Sequence, residues 1–355
     1  MRSRILGVAA TTAVLVTTTS MAQAVAAPEA ATAAACSWTK TLLPLPAGKA
    51  YGEVQATGQG GAAGGTRPES QTNVLPQVTS WKDGKATTYE HSNIIYMTVI
   101  DRNSAGAVVS NGSVNWFGYT SNLVYVNRDG KMEPLPQPAG YKRSKALGMA
   151  ADGDITGYSY ELNGDAKKKV LVRWPSDRPG EVQVVTTLPD ESYVRVGDGD
   201  GSVVYTDGNG KDILRRPDGG TVELKKPEGV LYGLLPDDMS NGRVVAAGDY
   251  SGGGRVGVLW ESDGTPKLLP QSVGPNFEYR INSSGMIVGY TTSLNSYEPN
   301  NDGFQVWQLG TYTGRVGAKG DIPSAVGDDG TVGGVSVKDT TNGIGYGPPA
   351  VWRCS

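Results

Sequence analysis

Histidine is almost missing from this chain: His91 is the only one in 355 residues. Histidine-based catalysis can rest on that imidazole alone. Cysteine is scarce too, at two, so neither a Cys/His metal cluster nor a disulfide-dense miniprotein can be built. Phenylalanine occurs three times against seventeen tyrosines and seven tryptophans, and only 19% of residues are charged. No apolar run of about 20 residues exists beyond the N-terminus, so no membrane-spanning helix is expected. Basic residues form no stripe that could follow a phosphate backbone, and the net charge is −3, so nucleic acid is not an expected partner. The one basic cluster, Lys167-Lys168-Lys169, reads as a solvated loop. No amphipathic helix of three turns is visible after residue 35. Glycine and proline, at 50 and 21, are what the chain has in quantity, and they imply many tight turns.

The first residues read as a targeting segment. Arg2 and Arg4 precede the apolar run Ile5–Val16, and small residues lead to Ala22-Gln23-Ala24-Val25-Ala26-Ala27. A basic start, a short apolar stretch and an A-x-A exit make a secretory signal peptide over 1–27, with export expected. Residues 28–35 read as a disordered leader, and 36–355 as a single domain. Cys36 follows small residues and could alternatively end a lipoprotein signal, but position 33 is Ala where such signals carry Leu.

One pattern recurs about every 45 residues: a Gly, then β-branched or small residues. It begins at Gly61, Gly106, Gly153, Gly201, Gly242, Gly285 and Gly330. An apolar strand follows, ending in Trp81, Trp174, Trp260, Trp307 or Trp352, often with Asp-Gly after it, the signal of a type I′ hairpin turn. The unit closes with Leu-Pro, as at Leu135-Pro136, Leu188-Pro189 and Leu269-Pro270. Because Pro cannot donate to a ladder, that segment belongs at a sheet edge. Four short strands per 45 residues, seven times over, predict an all-β, seven-bladed β-propeller of four-stranded antiparallel blades. The periodic tryptophans read as packing between blades.

Both ends of the chain are out of phase. Ser37–Gly48 matches the end of a unit, while the seventh unit stops at its third strand with Trp352. The N-terminal strand should therefore complete the last blade. Cys36 then precedes the fourth strand and Cys354 follows the third, at the gap an ordinary blade closes with a hairpin turn. Neighbouring strands hold their Cα atoms about 4.5–5.5 Å apart, within disulfide range, so a Cys36–Cys354 bond is expected.

The unit Ile281-Asn282-Ser283-Ser284-Gly285-Met286-Ile287-Val288-Gly289-Tyr290, with Val306-Trp307 later, resembles the extracellular HAF-type repeats of bacterial secreted proteins. Phe304-Gln305-Val306-Trp307 stands where that family has His-Ala-Phe before the Trp. The resemblance implies a propeller-like fold and an extracellular setting, and no activity.

Functional candidates are few. His91 reads as a loop or strand-end residue. Asp198-Gly199-Asp200-Gly201, Asp207-Gly208-Asn209-Gly210, Asp152-Gly153-Asp154 and Asp328-Asp329-Gly330 fit turns. Calcium is their alternative, although the twelfth position from Asp198 is Asn209 where an EF-hand loop has Glu. No catalytic residue and no other cofactor is assigned. The strongest binding signal is aromatic: Trp116, Tyr158, Tyr250, Tyr290 and Tyr297 fall near the connection between second and third strands, at one rim of the disc. These residues predict a secreted, monomeric, non-catalytic propeller that binds an extracellular glycan or protein. The alternatives are a hydrolase or lyase acting on an extracellular polymer, with acids from several blades, and a cell-envelope scaffold.

Overall fold

The computed structural model describes residues 36–355 except 70–76, 91–95, 117–118, 129, 162–167, 232, 273–275, 294–295, 300–301, 338 and 342–343. The side chains of some adjoining strand residues, Trp116 and Tyr297 among them, also lie outside the described part, as do His91 and the expected signal peptide and leader. Ser37–Ser355 form one compact unit. No helix is present among the described residues, and so none long and apolar enough to cross a membrane.

The unit is a seven-bladed β-propeller. Six blades are consecutive four-strand meanders, such as Arg143–Met149, Ile155–Tyr160, Lys169–Trp174 and Gln183–Thr187 in the third. Blade six carries an extra short strand, Ser296–Pro299, beside its second strand, and blade seven a small hairpin of Asp339–Thr341 and Ile344–Tyr346. The first strands, Tyr51–Gly58, Tyr96–Arg102, Arg143–Met149, Tyr193–Gly197, Leu235–Ser240, Asn276–Ile281 and Asp321–Val326, surround the axis, since residues from all seven line the central cavities.

Gly106, Gly153, Gly201, Gly242, Gly285 and Gly330 all have positive φ, which explains the glycine at the start of each repeat. In the first unit the left-handed residue is Gly60, with φ +76, so the anchor lies one residue before Gly61. The Asp-Gly turns also differ from the type I′ expectation. Asp83-Gly84 has positive φ at both positions, but at Asp218-Gly219 and Asp263-Gly264 only the glycine does. There the carboxylate accepts the N–H two residues on, as from Thr265 to Asp263 at 2.9 Å, which favours a longer Asx-type turn.

The tryptophans do lie between blades, and they also anchor one blade to the next. Trp81, Trp174, Trp260 and Trp307 are buried, and their indole N–H groups donate to the carbonyls of Pro44, Pro136, Lys225 and Pro270 at 2.7–2.8 Å. Each acceptor lies two residues past the outer strand of the preceding blade, and three of the four are the Pro of a Leu-Pro pair, so that landmark is also a socket for the next Trp. Near the axis the stitching is polar. Asp101 of blade two accepts from Met149 N, Asp238 of blade five from Ile281 N, and Gln55 of blade one from Val99 N. Arg280 of blade six donates to Ser324 O, and the Ser324 hydroxyl donates to Glu53 of blade one, which joins the seventh blade to the first.

Blade seven is built from both ends of the described chain, in the order Asp321–Val326, Val332–Ser336, Pro349–Cys354 and Trp38–Leu42. The terminal strands run antiparallel, from Trp38 opposite Cys354 to Leu42 opposite Ala350. Both cysteines are disulfide-bonded and are the only two in the chain, so the expected Cys36–Cys354 clasp is present. The Cys36 sulfur, so engaged, is not available to a lipid thioether.

Candidate functional site: the central cavity and its mouth

Bulges in the first strands shape the cavity. In six blades the pairing between first and second strands skips one residue, leaving Gln55, Ile100, Leu147, Arg195, Asp237 and Ser324 unopposed. Blade six has no such skip. A bulge turns its extra residue out of the ladder and twists the strand. All six bulge residues line one cavity of about 440 Å³, and Arg280 supplies the place of the unbulged blade. A second cavity of about 420 Å³, lined by the far ends of the first strands, lies toward the opposite face. The two share Gln55, Ile100, Leu147, Gly197, Asp238, Arg280 and Ser324, one residue from each blade.

The first cavity opens where the second strands end, the face that also carries the connections to the third strands. Tyr158 and Tyr290 both line it. Neither follows the second strand, as the sequence pattern suggested. Tyr158 lies within it opposite Lys145, and Tyr290 lies within it opposite Glu278. Side chains alternate along a strand, so these positions turn inward to the cavity. Burial, the largest effect, raises the pKa of both phenols. Tyr250 sits beyond the end of its strand, paired by an isolated bridge to Val230, and packs against the apolar core between blades four and five. It does not line the cavity. The side chains of Trp116 and Tyr297 lie outside the described residues.

Charge is distributed unevenly around this mouth. Glu53, Asp237, Asp238, Glu278 and Arg280 come from blades one, five and six. Burial raises the Asp237 carboxyl to about 7, against the opposing pull of Arg280, and its Oδ2 has no hydrogen-bond partner. Burial likewise raises Asp101 to about 7 and Asp198 to about 6. On the other wall, blades three and four contribute Lys145, Arg195, Tyr158 and apolar Leu147 and Val194. Sequence reading missed the bulge residues, because a bulge is a property of strand pairing. It also took Lys169 for part of a solvated loop, whereas Lys169 opens the third strand of blade three with its ammonium over the Tyr193 ring.

The calcium-like aspartates are occupied in turns. Asp207 accepts from Asn209 N and Lys211 N, Asp200 from Ser202 N, and Asp329 from Thr331 N. Among the described residues no three His, Cys, Asp or Glu side chains are grouped to hold a metal ion.

No family model and no curated protein matches the chain. Solved structures do. The β-propeller domain of the Trilobed protease from Pyrococcus furiosus aligns over 81% of this chain and 91% of that one, with TM-score 0.54 and 10% identity. A prolyl endopeptidase structure aligns over 79% of this chain but 41% of its own, with TM-score 0.51 and 12% identity. TolB from Acinetobacter baumannii has TM-score 0.46 at 14% identity, and this chain covers 62% of it. At such identities the likeness shows the propeller fold alone. The Pyrococcus propeller is described as having an open velcro topology, whereas this ring is closed by paired terminal strands.

Proposed function

We propose that this protein is a secreted, non-catalytic propeller that binds an extracellular glycan at the mouth of its central cavity. One observation carries the reading: Tyr158 and Tyr290 line a cavity of about 440 Å³ that is otherwise rich in hydrogen-bonding and charged groups of both signs. Tyrosine gives sugars an apolar face to stack on and a polar handle, and a cavity of this size fits one or two sugar rings. The basic start, short apolar run and A-x-A exit of the first residues, together with the disulfide, support export, since such a bond persists in oxidising compartments. A glycan-array screen of the chain and of Tyr290→Ala tests the reading. Selective binding by the parent, weakened at least tenfold in a variant that still folds at the assay temperature, is expected. An array without any bound glycan overturns it.

Asp237 favours a second reading, a hydrolase or lyase acting on an extracellular polymer. A carboxyl held near pH 7, with an unpartnered oxygen and with Glu278 and Glu53 on the same cavity, has the character of a general acid. Polymer cleavage that is lost in Asp237→Asn while binding persists would establish this reading over the first.

A further inference from the structure

The crevice between blades three and four, beside this cavity, gathers tyrosines and cations. Arg143 and Lys145 alternate along the first strand of blade three, opposite Tyr160 and Tyr158 of the second. Paired and alternate residues share a face, and at the end of the strand the Tyr160 hydroxyl accepts from Asn122 Nδ2 of blade two at 2.6 Å. The two tyrosine rings stack with centroids 5.7 Å apart, and the Arg143 guanidinium lies 5.8 Å from the Tyr160 ring. Blade four presents Tyr193, which is 64% exposed, with Lys169 at 5.4 Å and Arg195 at 6.0 Å from its ring.

Among the described residues neither guanidinium group is in direct contact with a carboxylate, Arg195 reaching Asp212 only through a hydroxyl. Arg195 spends only Nε, on the Thr206 hydroxyl, which in turn donates to Asp212. This relay fixes the plane of the guanidinium and leaves its two terminal nitrogens without a hydrogen bond among the described residues. Arg143 makes no ion pair among the described residues, and its Nε is buried without a partner among them. Lys145 also forms no ion pair among the described residues. An oriented guanidinium with a free fork suits a planar or tetrahedral oxyanion, which it can hold through two parallel hydrogen bonds. An exposed tyrosine between two cations adds a stacking face for the ring that carries the anion.

Resting on the glycan-binding reading and deepening it, we propose that this crevice is a subsite for an anionic glycan, a sugar polymer bearing carboxylate or sulfate groups. Tyr193 stacks on a sugar ring, and Arg143, Lys145 and Arg195 hold its charged substituents. The acidic wall of blades one, five and six repels the same groups, so the anionic end of the ligand is directed to the blade three–four side.

Affinity electrophoresis or titration calorimetry of the whole disulfide-bonded chain tests this with polygalacturonate, dextran sulfate and neutral dextran. The expected result is binding to one or both anionic polymers, at least tenfold weaker binding to dextran, and affinity that falls as salt rises. A preference for polygalacturonate assigns the carboxylate, and one for dextran sulfate assigns the sulfate. Arg195→Gln and Tyr193→Ala should each weaken anionic binding about tenfold. Lys145→Gln, which removes no hydrogen bond or ion pair, should weaken it by a smaller factor with no change in melting temperature. Binding of dextran as tight as of the anionic polymers overturns the anionic subsite while leaving glycan binding in place. So does parent-like anionic binding by the Arg195 and Lys145 variants. Failure of every glycan overturns both readings.

Discussion

Blades five and seven place a tryptophan at the same point of their third strands, yet they are secured by different means. In blade five a turn centred on Asp263-Gly264 leads from Trp260 to the outer strand, and the Trp260 indole donates to Lys225 O of the preceding blade. In blade seven the third and fourth strands are not consecutive. A disulfide and the pairing of Trp38–Leu42 with the C-terminal strand replace the turn. Trp352 is equally buried, and its ring meets Phe304 edge-on at 5.2 Å, but its indole nitrogen has no partner. Blade six explains the difference. Its outer strand, Thr311–Lys319, runs through Gly320 directly into Asp321, so no Leu-Pro segment is present to offer a carbonyl. The repeated fold tolerates loss of either device, provided another element closes the ring.

The largest effect should come from the covalent clasp. The disulfide closes a loop of about 300 residues, for which the chain-entropy model gives on the order of 5 kcal/mol. Cys354→Ser is expected to lower stability by most of that amount in urea unfolding of the non-reduced protein, and hydrogen exchange should show blade seven opening first. Uniform protection across all blades in this variant would contradict the clasp role. The corresponding change in blade five is smaller. Gly264 has φ +80, and an added Cβ would lie 2.5 Å from Glu223 O, so Gly264→Ala should cost about 2 kcal/mol.

The tryptophan pair sharpens the contrast further. Trp260→Phe removes the donor of a part-buried hydrogen bond to Lys225 O and should cost about 1–2 kcal/mol by denaturant titration. Trp352→Phe removes a buried donor that had no acceptor, so its cost should be smaller by about 1 kcal/mol or more. Equal losses would show that the indole bonds contribute little.

The smallest expected effect is with pH. Asp101 and Asp237 are raised to about 7, and Asp198 to about 6, from an ordinary 3.8, in each case chiefly by burial. The folded state therefore holds these protons more tightly than the unfolded chain. Their stabilisation is complete below about pH 4 and is lost as pH rises through 7. Calorimetry should give a melting temperature a few degrees higher at pH 5 than at pH 8, and the difference should shrink in Asp237→Asn.

Much of this molecule follows from its sequence. The Gly period, the Trp series, the Leu-Pro ends and the out-of-phase termini were enough to fix seven blades, the shared last blade and the cysteine pair. Each of these is local chain chemistry repeated at one spacing: positive φ wants glycine, an edge strand admits proline, and a missing strand must come from the other end. The rim tyrosines were legible only in part. Tyr158 and Tyr290 reach the cavity because alternation within a strand points them inward, whereas Tyr250, chosen by the same pattern, packs half-buried against the core between blades four and five. The cavity itself was not legible. Which residue bulges from each first strand, which carboxylates meet around Arg280, and which cations gather about Tyr193 all depend on strand register and on contacts between separate blades. Residues such as Glu53 and Ser324 become neighbours only when the ring closes.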